Sequence, residues 1–193
     1  MLAKLLLTVT STEDELQQIL LLQKENLEQQ VGFTEAKEQG FVTVVHNMQL
    51  LREMNEVEPS VIAKYNEKVV GYCLSMPRIF KTKIEVLTPM FEKIDALSFE
   101  GRSLNDCNYL VMGQVCINKN YRGMGIFDQM YEFMQAKLSQ KYDYLITEVA
   151  SRNTRSMRAH TRVGFENLLT FADQTDHWEL VIWNWGEKFK NQK

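Results

Sequence analysis

Tyr121-Arg122-Gly123-Met124-Gly125-Ile126 stands between a strand and a helix, and its reading decides the fold. Before it runs Tyr109-Leu-Val-Met-Gly-Gln-Val-Cys-Ile117, an apolar stretch of buried-strand character. Gly113 lies inside that strand, where a glycine marks a bulge or a close backbone approach. After the turn, Ile126, Met130, Phe133, Met134 and Leu138 recur at helical spacing and give one apolar stripe. The first N–H groups of a helix have no partners inside it and carry partial positive charge. Glycines let the chain turn tightly and let an anion touch the main chain. Arg122 to Phe127 supply six N–H groups in a row, none from proline, and Arg122 can add a charged contact. The stretch is a candidate cradle for a pyrophosphate. Two glycines one residue apart also form ordinary turns, so taken alone it leaves both readings open.

Other phosphate cradles fit worse. A P-loop needs a lysine followed by Ser or Thr after its last glycine, and none follows here. The dinucleotide fingerprint needs a third glycine, and that position is Asp128. It also opens a fold of several parallel βαβ units, whereas this turn comes late in the chain.

Downstream, Tyr144-Leu-Ile-Thr-Glu-Val149 reads as a strand. Asn153 to Arg162 reads as a short helix closed by Gly164. Phe165 to Phe171 and His177 to Trp185 read as two last strands. Upstream, residues 1–10 read as a first strand. Thr12-Glu-Asp-Glu15 is a capping box for a helix with Leu16, Ile19, Leu20, Gln23 and Leu27 on one face, ending at Gly32. A second helix is expected over Val44 to Met54, broken by Pro59. Val61–Tyr65 and Val69–Met76 read as strands around an Asn66-Glu-Lys68 turn. In 78–107, Pro89 interrupts a partly helical pattern, and Gly101 and Asn105-Asp106 read as loop.

A chain of 193 residues suits one domain with a real core. Net charge is −3 and no run of five or six basic residues occurs, which argues against nucleic acid. Cys73, Cys107 and Cys116 are odd in number and lack a C-x-x-C spacing, so neither a disulfide framework nor a metal site is expected. A reducing, cytoplasmic setting is the natural expectation. No segment approaches the apolar length that spans a membrane.

With both halves in view, Asn120-Tyr-Arg-Gly-Met-Gly-Ile126 resembles the acyl-CoA motif of the GNAT N-acetyltransferases. Their second signature is an Asn after the next strand, an aromatic seven residues on, then Gly-Phe. Here Asn153, His160 and Gly164-Phe165 stand in that order. The resemblance covers 108–165 well, the cofactor-binding core, with 78–107 an insertion or substrate-side segment of one domain over 1–193. It implies an α/β (α+β) fold with a mixed, mostly antiparallel sheet of about six to seven strands flanked by helices and splayed between the fourth and fifth. Two positions depart from the family pattern. Phe127 replaces the usual Gly or Ala, so its ring has to turn away from the phosphates. His160 replaces the usual tyrosine near the leaving sulfur.

The resemblance implies an amine attacking the thioester of acetyl-CoA directly. It assigns the pantetheine contacts and the oxyanion donor to the main chain of Val115, Cys116 and Ile117. The pyrophosphate falls to Arg122, Gly123, Met124, Gly125, Ile126 and Phe127, and Asn153 faces the cofactor. Asn153 and His160 are two helical turns apart and share a face, so His160 could protonate the sulfur. The bland alternative is a helix histidine with no chemical role. Glu148, on the strand face opposite Thr147 and Val149, is the candidate base or a solvent-facing carboxylate. Gln114 could bond substrate. Cys116 could be a nucleophile but reads better as a small buried strand residue. His46 and His177 receive no role. The acceptor, a small-molecule or peptide amine, would meet the parts that carry no motif. The tryptophan-rich last strands could pair two subunits into a homodimer. Two other functions compete: a non-catalytic acyl-CoA-binding module, and an unrelated α/β nucleotide binder.

Overall fold

In the computed structural model the short apolar runs align into one seven-stranded sheet with helices on both faces; residues 4–27, 41–42 and 44–186 are described. Thr12 and Glu15 close the capping box reciprocally, with Glu15 N donating to Thr12 Oγ1 at 3.2 Å and Thr12 N to Glu15 Oε2 at 3.1 Å. Helix α1 thus follows strand β1 (Leu5–Val9) and spans Glu13–Asn26. Gly32, its expected end, lies outside the described residues. Helix α2 is Met48–Val57, later than expected, because Asn47 Oδ1 accepts from Leu50 N and caps it there.

Strands β2 (Val61–Tyr65) and β3 (Lys68–Pro77) form the expected hairpin, with Asn66 at φ 53 in its turn. Pro89 does not interrupt a helix. It opens helix α3 (Thr88–Ala96), where its missing N–H costs no hydrogen bond. A small hairpin, β4 (Ser98–Phe99) and β5 (Arg102–Ser103), leads to β6 (Tyr109–Ile117). Helix α4 (Ile126–Leu138), β7 (Tyr144–Ala150), α5 (Thr154–Val163), β8 (Glu166–Ala172) and β9 (His177–Asn184) complete the chain.

The sheet order is β1-β2-β3-β6-β7-β9-β8. Among the described strands only the β6–β7 pair is parallel. Ile62, Tyr72, Leu74, Val111 and Ile146 point into one core under α1, α2 and α3. Val61, Cys73, Leu110, Leu145 and Val181 point into the other, under α4. Alternation along each strand, the period of the pleat, serves both cores.

Two irregularities in β6 position the site. Leu74 pairs with Gln114 and Ser75 with Met112, so Gly113 is the extra residue of a β-bulge. A Cβ at Gly113 would lie 2.5 Å from Met76 Cε, so the flexible end of that side chain would have to move aside for any larger residue. Immediately after Val111 the β6–β7 ladder stops: Tyr109–Tyr144, Leu110–Leu145 and Val111–Ile146 are its three pairs. The fourth and fifth strands of the main sheet are therefore splayed, as expected. Cys73, Cys107 and Cys116 are free and buried. Among the described residues no helix is long and apolar enough to cross a membrane, and no cluster of three ligating side chains could hold a metal.

Candidate active site

The glycine turn is built as its sequence requires. Asn118 Oδ1 accepts from Asn120 N at 3.1 Å and starts a 3₁₀ turn over Lys119–Tyr121. The Tyr121 ring stacks on Tyr65 at 5.1 Å and pins the turn to the sheet. Gly123 and Gly125 then take φ 78 and φ 71, left-handed values that suit glycine. Gly125 is the N-cap of α4 and no side chain caps the helix. The helical ladder begins with Gln129 N donating to Gly125 O at 3.2 Å. The amides ahead of it are not used by the helix, and Gly123, Gly125, Ile126 and Phe127 border a cavity of about 600 Å³.

Arg122 donates from Nε to Ile117 O at 3.2 Å and from an Nη to Asn26 Oδ1 at 2.6 Å. Its guanidinium is thereby held at the rim of this cavity. Across from the turn, α5 contributes Arg155, Arg158 and Arg162. Arg162 grips Asp128 with both Nε and an Nη, at 3.0 and 2.6 Å, and ties α5 to the first turn of α4. The spacing 155, 158, 162 was a legible helical stripe that sequence reasoning passed over. So was Asn26, whose role depends on a contact 96 positions away in sequence.

The main chain of Val115 to Ile117 borders the same cavity. On one side it pairs with β3. On the other side β7 has already diverged, so this stretch of β6 has one edge without a strand partner. Where the strands part, Thr147 Oγ1 donates to Met112 O at 2.9 Å and takes the place of a ladder bond. A smaller cavity, about 90 Å³, opens between the parted strands. Gly113, Gln114, Glu148, His160 and Trp178 border it. Phe41, Val42, Val115, Asn153 and Ser156 border both cavities, which makes one continuous cleft along β6.

Glu148 is half-buried in this smaller cavity. Burial, with the Asp173 carboxylate nearby, pushes its carboxyl up to about 7, against the opposing pull of Lys93. It lies on the strand face of Ile146, opposite Val149, and not on open solvent. Asn153 caps α5, its Oδ1 accepting from Ser156 N at 3.2 Å. It therefore stands at the helix cap, outside the helix proper, and helical spacing does not by itself place His160 on its face.

His160 is buried, 1% exposed, and does not border the larger cavity. Its Nδ1 lies 2.8 Å from Ser156 O and its Nε2 2.8 Å from the Tyr131 hydroxyl. A carbonyl only accepts, so Nδ1 carries the proton and Nε2 accepts from Tyr131. Burial pushes the imidazole down to about 4. With both nitrogens engaged, His160 has no proton to offer the cleft. The Phe127 ring packs edge-on to His160 at 5.2 Å and against Tyr131 at 4.7 Å. Phe127 thus turns toward α5. Its large side chain and the smaller ring at 160 share one aromatic cluster with Phe165 and Trp183.

Gln114 spends both ends of its amide on the protein, accepting from Tyr72 and Gln23 and donating to Val44 O. The Cys116 thiol is pushed up to about 12 by burial, which removes its nucleophilic character at neutral pH.

The family model described as Acetyltransferase (GNAT) family matches residues 15–165. Among solved structures, a chain of the NatC complex bound to Gag peptide and CoA superposes with a TM-score of 0.66 at 12% identity, over 94% of this chain and 98% of that one. The ribosomal-protein-S18-alanine N-acetyltransferase from Escherichia coli gives 0.62 at 10% identity, over 98% and 99%. The yncA protein from Salmonella typhimurium, solved with its cofactor acetyl-CoA, gives 0.60 at 12% identity, over 95% of each chain. At such identities these likenesses establish the fold. Among curated protein sequences none matches the chain.

Proposed function

The chain belongs to the GNAT acetyltransferase family, and on that premise we propose that it transfers the acetyl group of acetyl-CoA to a primary amine of a small molecule or peptide. The observation that carries this reading is the parting of β6 and β7 beyond Val111. It leaves a bare strand edge between an uncapped helix start and a half-buried carboxyl of raised pKa. The cofactor's three chemical parts meet matching groups. The amides of Gly123, Met124, Gly125, Ile126 and Phe127 suit the pyrophosphate, with the Arg122 guanidinium beside them, while Arg122 N already donates to Lys119 O at 3.5 Å. The main chain of Val115, Cys116 and Ile117 suits the pantetheine amides, and Asn153 lies where the two cavities join. No metal takes part in this reading.

The chemistry then asks little of side chains. The strand-edge N–H groups around the bulge would donate to the carbonyl oxygen as it gains negative charge. Preorganised donors of that kind contribute ~2.7–4 kcal/mol each. Glu148 takes the proton that the ammonium must lose before it attacks, and a carboxyl near 7 suits that task. The leaving thiolate needs no protein acid, since a simple thiol has a pKa of ~8.5. His160 therefore takes a positioning role in place of an acid's: it holds Phe127 and Tyr131 and, through them, the first turns of α4.

Two measurements test the reading. Calorimetry with CoA should give saturable binding that ATP and NAD do not match. Acetyl-CoA consumption should rise with at least one amine from a panel of spermidine, lysine ethyl ester and tripeptides beginning with alanine, serine or methionine. Tight CoA binding without turnover on any of them would replace the enzyme with a non-catalytic acyl-CoA-binding module. Protection by ATP or NAD and not by CoA would remove the family's cofactor altogether.

A further inference from the structure

Four polar side chains sit on the apolar face that α1 shares with the sheet. Gln23, His46, Tyr72 and Gln114 are all buried. Polar groups there are costly unless they bond one another. They do, except at His46 Nε2, which is buried with no hydrogen-bond partner, and only one arrangement of the amides satisfies the distances. Gln23 Nε2 lies 2.9 Å from both His46 Nδ1 and Gln114 Oε1 and has two protons to donate. Gln23 Oε1 accepts from His46 N at 2.9 Å. Gln114 Oε1 also accepts from the Tyr72 hydroxyl at 2.6 Å, and Gln114 Nε2 donates to Val44 O at 2.8 Å.

Three of these bonds end on Val44 and His46. That stretch, residues 41–42 and 44–47, contains no helix and no strand ladder; Val42 makes a single bridge to Leu27. With no ladder of its own, its place depends on what reaches it from outside. Val42 N donates to Asn26 O at 3.0 Å, next to the Asn26 side chain that accepts from Arg122. The same stretch supplies Phe41, Val42 and Val44 to the wall of the smaller cavity.

We propose that Gln23 and Gln114 are positioning residues for the acceptor: through Val44 and His46 they hold the wall of Phe41, Val42 and Val44 against the mouth of the smaller cavity. The wall limits the groups that can flank the attacking amine. The inference rests on the reading that this cavity receives the amine. Gln23 is the cleaner probe, because it borders neither cavity.

The test is Gln23→Met in the full chain, which keeps the length of the side chain and removes its bonds. Amide exchange at 44–46 is expected to quicken by about tenfold or more. KM for the best amine of the panel should rise about fivefold, with kcat and CoA affinity within about twofold. Tyr72→Phe removes a bond to Gln114 but none to the stretch, and should leave exchange and KM unchanged. If Gln23→Met does not fold, His46→Phe keeps the ring and loses the Nδ1 acceptor, and the same shifts are expected of it. Unchanged exchange in a folded variant overturns the proposal. So does a loss of kcat at constant KM, which would make Gln23 structural only. If the wild-type protein acetylates no amine of the panel, the enzymatic reading fails and acceptor recognition falls with it. The exchange arm separates that result from a failure of the network itself.

Discussion

The glycine turn offers its cleft main-chain amides, whereas the parted end of β6 and β7 offers it a carboxyl and a wall of side chains. At the first, Gly123 and Gly125 serve by having no side chain, and the groups facing the cavity come from any residue that follows them. At the second, the proposed role of Glu148 rests on its identity and its burial. A backbone site tolerates changes of residue but not of conformation. A side-chain site tolerates small shifts of backbone but not the loss of one atom. Substitutions at the two ends should therefore fail in different ways, one in affinity and one in rate.

The largest effect belongs to the side-chain end. Glu148→Gln keeps the shape and removes the proposed base. It should lower kcat/KM by ~10²–10⁴-fold. CoA affinity measured by calorimetry should stay within about twofold. If activity persisted at the wild-type level, the base would have to be sought elsewhere, and the contrast between the two ends would lose its second half.

Gly125→Val addresses the backbone end. Valine at φ 71 is strained, at a cost of ~1–3 kcal/mol if the turn is kept. Relaxing that strain moves the amides, so CoA affinity should fall ~10-fold for each 1.4 kcal/mol lost to misalignment. At saturating acetyl-CoA, kcat should change little. A variant that bound CoA normally but turned over slowly would mean that the turn belongs to the chemistry and not only to the cradle.

The same contrast governs how much could be read in advance. The turn, its strand and its helix were legible because glycine spacing, an apolar run and a stripe of period 3.6 are local signals. The splay was reachable only through resemblance, because it depends on where a ladder stops. Its local marker, Gly113, was visible as a bulge candidate without saying where β7 would leave. The bonds that engage His160 were out of reach of its spacing for a physical reason. Spacing from Asn153 assumed both were helical, yet Asn153 is a cap, and the partners that hold the imidazole include Tyr131, 29 positions away. The wall of Phe41, Val42 and Val44 carried no pattern at all, since residues held by other elements' side chains have no period of their own.

His160→Ala sharpens the comparison from between the two ends. It leaves the buried Tyr131 hydroxyl without its partner and opens space beside Phe127, and an unsatisfied buried group costs ~1–3 kcal/mol. Thermal stability should fall accordingly, while kcat at saturating substrates stays within about threefold. A loss of rate approaching that of Glu148→Gln, in a protein that still melts cooperatively, would return the imidazole to the chemistry.

The smallest effects are in pH. Glu148 is raised from 4.5 to about 7, so the folded protein holds its proton more tightly than the unfolded chain. Between those values the native state binds more protons, and stability falls as pH rises. The Gln variant has no such term, so its advantage in Tm over wild type should widen from pH 5 to pH 8. Over the same range kcat/KM of the wild type should climb as the carboxylate forms, levelling above about 7. The buried histidines have the opposite sign. His46 and His160 are lowered from 6.5 to about 4 by burial, so below pH 6.5 the unfolded chain takes up protons the native state refuses. Their contribution to stability is whole above 6.5 and is lost as pH falls toward 4. Replacing His160 by Phe should flatten the acid side of the Tm profile and leave the rise of kcat/KM near 7 where it was. If the rise moved instead, the rate would be following His160 and not Glu148.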